Sequence, residues 1–380
     1  MDLKRIRVLL IVTGMPDVNG SGGSQFNMVY LQALKKIGIN TTVIHLRSIN
    51  PRRKLFEKKI VDGVDRITIS CYSPPIKKLF RSKFLSWLFK IIIRDKDIQF
   101  NMIHGVGGGT AIASYLMANL SNTPYILQFI GSDVNVHLDY YLKIKNFQFA
   151  VNNASFIGFN SRKLMIDFKK KHKGETNSET IYRGIDLEKF TFTNFETNEL
   201  RILFLGGVKN HNSKGAFTMV ELCNKLINKT TVKDQVIINL GGPNINKIKP
   251  YLQVGKFNST EVNIIGAISS EEVLKYMKDS NVLIVPSLAE GLPNVIYEAM
   301  ATGNVVIATN VGGIPEILTH RETGFLIDKQ CPDLIIKILE ELANDPFLKN
   351  RIIVEARRTV ENFSYSSFVK KYTDLYVTFL

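Results

Sequence analysis

The stretch "LIVPSLAEGLPNVIYEAMATGNVVIAT", residues 283–309, sets two glutamates, Glu290 and Glu298, eight positions apart between two short apolar runs. "VLIVP" reads as a buried strand ending near Pro286, and Pro293 or Asn294 opens a helix, because proline is tolerated in a first turn. Glu290 then lies in the strand-to-helix loop, and Glu298 about one turn into the helix on the face of Asn294. A carboxylate at such a hinge is costly to desolvate without a partner. The helix start also presents unpaired backbone N–H groups, which favour an anion. A loop carboxylate beside such an anion site can accept hydrogen bonds from sugar hydroxyls, and one a turn deeper can accept two from a ribose diol. The arrangement fits a nucleotide sugar; the plain alternative is a pair of carboxylates that cap and solvate a turn.

Outward from this stretch the pattern is strand, turn, helix, repeated. "RVLLIVTG" (7–14), "TTVIHL" (41–46), "RITISCY" (66–72), "NMIHGV", "PYILQFIGSDV" and "ASFIGFNS" read as strands of a first half. Residues 186–200 are polar and without apolar period, a linker. Alternation resumes with "RILFLGG" (201–207), helical "AFTMVELCNKLI", "QVIINLGG" (235–242) and "VNIIGAI" (262–268). Ser269 and Glu272 in "SSEE" form a capping box. The expectation is α/β: two Rossmann-like doubly wound domains, 1–188 and 200–362, with ligands beyond the carboxyl ends of the strands.

The chain has 380 residues, enough for two such cores, and its 45% hydrophobic content places it among globular proteins. The start, "MDLKRIRVLLIVTG", has an apolar run of seven, too short for a signal sequence and better read as a buried strand. No run of 18 apolar residues spans a membrane. Cys71, Cys223 and Cys331 have no metal-ligand spacing and read as free thiols in a reducing compartment. The net charge of +15 favours polyanions, anionic lipid or phosphate-bearing molecules.

"PSLAEGLPNVIYEAMATGNVVIATNVGGIPEIL" followed by "TGFLI" resembles the donor-binding half of retaining glycosyltransferases of the GT-B fold, glycosyltransferase family 4. "SGGSQFNMVYLQALKKIG", "YILQFIGSDV", "IYRGIDLEKF", "FLGGVKNHNSKG" and "FSYSSFVKKYTDLY" extend the resemblance over nearly the whole chain. It implies two domains facing across a cleft, with the terminal helix, 364–380, crossing back onto the first. It implies that Glu298 binds the ribose hydroxyls and that Glu290 contacts the transferred sugar, aided by Gly291, Leu292 and Asn294. Lys214 and Lys209 would neutralise the diphosphate, with Gly207 in the same loop, and Gly22 and Gly23 would let the first loop approach it. The donor is then a nucleoside diphosphate sugar. Neither metal nor other cofactor is implied, and no DxD-like ligand set stands out.

The sequence departs from the family pattern in places. Gly207 stands where an arginine is common, with Lys209 as its substitute, and Ile130 stands where a histidine is usual. On the acceptor side this leaves Gly131, Ser132, Asp133 and Arg183, the last in place of an asparagine. "EGLPN" instead of "EGFG" is a variant associated with cell-surface polysaccharide and glycolipid members. Asp133 reads equally as a helix cap, and Glu316 equally as a site residue or a cap after Pro315. His104 and His137 read as packing or surface residues, and "VGGGTA" as a plain strand-to-helix turn.

Residues 74–96 carry Lys77, Lys78, Arg81, Lys83 and Lys90 around an apolar helical face of Leu79, Phe84, Trp87, Leu88, Ile91 and Ile92. This reads as an in-plane helix on an anionic membrane surface, which would place the protein in the cytoplasm, peripheral on the inner face of the membrane. The alternative is an ordinary amphipathic helix packed on the first sheet. The expected activity is sugar transfer to a cell-surface polysaccharide or lipid-linked glycan. A sugar-nucleotide epimerase or hydrolase on the same frame is the competing enzyme. A nucleic-acid-binding protein rests on charge alone, since no recognition motif supports it.

Overall fold

A computed structural model of the chain describes residues 3–15, 25–48, 54, 56–61, 63–72, 78–193, 199–208, 214–228, 235–253, 255–257, 259–328 and 330–380. They form two compact units: Met1–Tyr182 with Phe368–Leu380, and Arg183–Ser367.

The first unit runs β1 (Arg7–Val12), α1 (Gln25–Lys36), β2 (Asn40–Ser48), β3 (Phe56–Val61), β4 (Val64–Tyr72), α2 (Lys78–Arg94), β5 (Met102–Val106), α3 (Ala111–Ser121) and β6 (Tyr125–Phe129). It continues with α4 (Ser132–Asn135), α5 (Leu138–Leu142), α6 (Lys145–Asn152), β7 (Phe156–Phe159), α7 (Arg162–Lys171) and β8 (Ser178–Thr180). The strand order is β3-β4-β2-β1-β5-β6-β7-β8. Every pairing is parallel except β3 with β4. Val8 to Val12 are fully buried or nearly so, as a central strand covered on both faces requires. The antiparallel hairpin β3–β4 is a finding that the sequence reading missed. "FEKKIV" looks like a charged surface segment because it is an edge strand, and charged side chains protect an edge from foreign pairing.

The second unit runs β9 (Leu200–Phe204), α8 (Ala216–Asn228), β10 (Val236–Gly241), β11 (Gly255–Phe257), β12 (Thr260–Gly266), α9 (Ser270–Lys278), β13 (Val282–Val285), α10 (Asn294–Thr302) and β14 (Val305–Thr309). Then come β15 (Phe325–Ile327), α11 (Pro332–Asn344), α12 (Pro346–Glu361) and α13 (Tyr365–Phe379). Its strand order is β11-β12-β10-β9-β13-β14-β15, parallel apart from β11 against β12. The chain winds outward from β9 to β10 and β12, then returns to β13 on the other side of β9. The switch point therefore lies between β9 and β13, where the loops leaving the two strands diverge and leave room for a ligand. The Ser269–Glu272 capping box at the start of α9 is present in full.

From Phe368 onward α13 belongs to the first unit. Tyr372 and Tyr376 are fully buried there. The Tyr376 hydroxyl lies 2.7 Å from His104 Nδ1 and 2.6 Å from the Tyr30 hydroxyl. Burial lowers the pKa of His104 to about 3, so the imidazole is neutral. Gly158 of β7 makes room for the Tyr372 ring, since a Cβ there would fall 2.4 Å from its hydroxyl.

Candidate active site

The carbonyl end of β13 turns at Pro286 into the loop that carries Glu290. The Lys214 ammonium, from the turn before α8, meets Glu290 Oε1 at 2.6 Å. Ser287 Oγ donates to the same oxygen at 2.8 Å. Glu290 is 9% exposed. A nearly buried carboxylate needs both a counter-charge and hydrogen bonds, and here one oxygen receives the two. The partners are 76 positions apart in sequence but come from the loops after β9 and β13, the neighbours at the switch point.

Two glycines bring these loops together. Gly215, next to Lys214, has φ +77°, and a Cβ on it would lie 2.0 Å from the Pro286 carbonyl oxygen. Gly312, in the turn after β14, has φ +59°, and its Cβ would lie 1.9 Å from the Glu290 carbonyl oxygen. The adjacent Gly313 N–H donates to the Gly291 carbonyl at 2.6 Å. The "VGGIPE" turn thus forms a floor under Glu290. Glu316 sits in a short 3-10 turn, Ile314–Glu316.

Pro293 is the N-cap of α10 and Asn294 its first residue. Leu292 is buried, and Asn294 Oδ1 is buried without a hydrogen-bond partner among the described residues. Glu298, one turn on, is half-buried and accepts no side-chain hydrogen bond among the described residues. Desolvation pushes its pKa up to about 7, against the attraction of Lys189. Gly207 packs beside Pro243, whose carbonyl accepts the Val208 N–H at 2.8 Å. Gly22, Gly23 and Lys209 lie outside the described residues.

Gly131, Ser132 and Asp133 follow β6 in the first unit. Gly131 is the N-cap of α4, and Ser132 and Asp133 are its first two residues. The Asp133 carboxylate accepts from the backbone N–H groups of Gly108, Ile130, Gly131 and its own neighbour Val134. It ties the turn after β5 to the turn after β6 and makes no N-cap bond. Burial raises its pKa, opposed by these N–H groups. Arg183 groups with the second unit, within electrostatic reach of Tyr365. The structure thus brings Lys214, Glu290, Gly291, Leu292, Asn294 and Glu298 into one region and leaves the acceptor-side residues divided between units. Among the described residues no three His, Cys, Asp or Glu side chains gather as metal ligands.

Ser287, Thr309 and Gly312 are contacts of Glu290 or its loop that the sequence reading missed. The one available signal is that Ser287 stands three positions before a loop carboxylate, as in the turns where a hydroxyl bonds a near neighbour.

Two α/β sheets of this order are those of the GT-B fold. Residues 199–345 match the family model described as Glycosyl transferases group 1, so this part of the chain is a glycosyl transferases group 1 domain. The chain is similar to the UDP-Gal:alpha-D-GlcNAc-diphosphoundecaprenol alpha-1,3-galactosyltransferase of Escherichia coli, 25% identical over 78% of this chain and 79% of the relative. Among solved structures it resembles sucrose-phosphate synthase from Thermosynechococcus elongatus, with a TM-score of 0.74 at 18% identity over 98% of this chain and 99% of that one. It also resembles Anabaena HepE in complex with UDP and glucose, with a TM-score of 0.72 at 14% identity over 98% of this chain and 100% of that one.

Proposed function

We propose that the protein transfers a sugar, with retention of anomeric configuration, from a UDP-sugar to a cell-surface polysaccharide or lipid-linked glycan. The observation that carries this reading is the Lys214–Glu290 pair beside the start of α10, one turn from a half-buried Glu298. In this reaction the anomeric carbon gains positive charge as the diphosphate leaves with negative charge. Lys214, and Lys209 with it, stabilise the leaving phosphate, as do the unpaired N–H groups at the start of α10; Gly22 and Gly23 allow the first loop close to it. Glu290, with the backbone of Gly291 and Leu292 and the amide of Asn294, orients the transferred sugar. Glu298 accepts both ribose hydroxyls. The acceptor attacks from the face that the diphosphate leaves, and the leaving phosphate takes its proton. No metal takes part, so UDP release is expected to be unchanged by excess EDTA.

The UDP and glucose in the HepE structure and the UDP-Gal of the Escherichia coli relative's name support a uridine donor. That relative's diphosphoundecaprenol substrate supports a lipid-linked acceptor. Gly131, Ser132, Asp133 and Arg183 are proposed on the acceptor side. The deciding experiment is thermal shift with UDP, GDP and ADP and their glucose conjugates, since a bound ligand raises apparent stability by mass action. Stabilisation by uridine compounds alone is expected; stabilisation by none, or by the others alone, would refute the donor assignment.

The first unit is also proposed to rest on an anionic membrane surface. It carries 29 Lys and Arg against 13 Asp and Glu, whereas the second carries 20 against 21, so the net positive charge sits on the first. On α2, Leu85, Leu88, Phe89 and Ile92 are buried, while Trp87 and Ile91 are 57% and 45% exposed. Part of the expected apolar face therefore serves the core and part is exposed, as an in-plane helix requires. No helix among the described residues is long and apolar enough to cross a membrane. Replacing Lys77, Lys78, Arg81 and Lys83 by glutamine is expected to abolish co-sedimentation with phosphatidylglycerol vesicles; unchanged co-sedimentation would remove the membrane contact.

A further inference from the structure

Lys214 has two duties in the proposed reaction, as counter-ion of Glu290 and as counter-ion of the departing diphosphate. Its ammonium has three protons, enough to touch both, but as the phosphate gains charge it draws the lysine toward itself. A glutamate held by that lysine alone would be pulled with it. Ser287 has one hydroxyl proton, and the structure directs it to Glu290 Oε1 at 2.8 Å. The serine is 1% exposed, so water does not compete for that bond.

Ser287 is itself fixed from behind. Its carbonyl accepts the Thr309 hydroxyl at 2.5 Å, and Thr309, the last residue of β14, is likewise 1% exposed. The backbone that carries this hydroxyl, two residues beyond β13, is thus tied to the last residue of the adjacent strand β14. A neutral donor on such a backbone carries no net charge for the diphosphate to attract, so it is drawn far less than an ammonium.

We propose that Ser287 is a positioning residue for the transfer, holding Glu290 against the transferred sugar while Lys214 shifts its charge to the leaving group. This rests on the reading that Glu290 contacts that sugar. Misplacing a carboxylate that orients a reacting group lowers turnover more than binding.

The test compares the parent with Ser287→Ala, Ser287→Cys and Glu290→Gln. UDP release is measured with whichever of UDP-glucose, UDP-galactose and UDP-N-acetylglucosamine the parent hydrolyses fastest, and UDP affinity by calorimetry. Ser287→Ala is expected to lower kcat about 10- to 100-fold, with the donor KM within about threefold and the affinity for UDP, which lacks the sugar, unchanged. Ser287→Cys, of similar shape with a weak S–H donor, should fall between the two. A parental kcat for Ser287→Ala beside a lost kcat for Glu290→Gln overturns the role of Ser287 and leaves the site intact. A parental kcat for Glu290→Gln, or a parent that releases UDP from none of the three donors, overturns the site and this role with it. Should Ser287→Ala fail to fold, a parental kcat for Ser287→Cys overturns the role on its own.

Discussion

Glu298 titrates near neutral pH, and donor binding should report it. Its carboxyl is pushed up to about 7 by burial on α10. A ribose diol donates two hydrogen bonds, which only the ionised form accepts on both oxygens. If the donor binds that form, the apparent Kd grows by one plus ten to the power of pKa minus pH. Between about pH 8 and pH 6 that is close to tenfold, or about 1.4 kcal/mol. The assay is calorimetry with a UDP-sugar, whose phosphodiester groups do not titrate in this range, on the parent and on Glu298→Gln. The parent should lose affinity on acidification, and the variant should bind weakly with no slope. The sign for folding is opposite. A carboxyl with a raised folded pKa contributes stability that is complete below its unfolded value of about 4.5 and is lost as pH rises through about 7. Because Glu298 is half-buried, the loss is about 1–3 kcal/mol. Glu298→Gln should therefore raise Tm at pH 8 and leave it unchanged at pH 4. A parent whose affinity is flat from pH 6 to 8, or a variant that keeps the slope, would refute the ribose assignment.

Lys214→Ala should lower kcat for UDP release about 10²- to 10³-fold, because a fixed positive charge at the leaving phosphate is lost; a kcat within threefold of the parent would exclude it from the chemistry. Gly312→Ala places a methyl 1.9 Å from a carbonyl oxygen at a positive φ, and should cost about 2–4 kcal/mol in urea unfolding of the second unit. Tyr376→Phe removes the hydroxyl shared with His104 and Tyr30, and should destabilise the first unit by about 1–2 kcal/mol without altering UDP affinity.

The two sheets were legible because buried parallel strands read as unbroken apolar runs, as "RVLLIV" and "NVLIV" do. The edge hairpin was not, because Lys58 and Lys59 obey the chemistry of an exposed edge rather than the alternation of a half-buried strand. At the site, the position of Glu290 after a strand and of Glu298 within a helix followed from local pattern. The Lys214–Glu290 bond did not, since it depends on β9 and β13 lying side by side, a property of winding order. Asp133 shows the same limit. Its sequence neighbours suit a helix cap, yet its carboxylate is spent joining two turns, one of them 25 residues upstream.

The return of the chain to the first unit bears on biosynthesis. A ribosome that has made residues 1–182 has synthesised every strand of that unit, and Tyr30 with them, but not Tyr372 and Tyr376, which complete the surroundings of His104. Until Phe368 to Tyr376 emerge, the nascent fragment lacks the side chains that bury His104, while the second unit is still being made. Premature termination between residues 200 and 368 should therefore leave an aggregation-prone first half, and the two halves should not be expressible as separate pieces cut at the linker unless the final helix is supplied to the first.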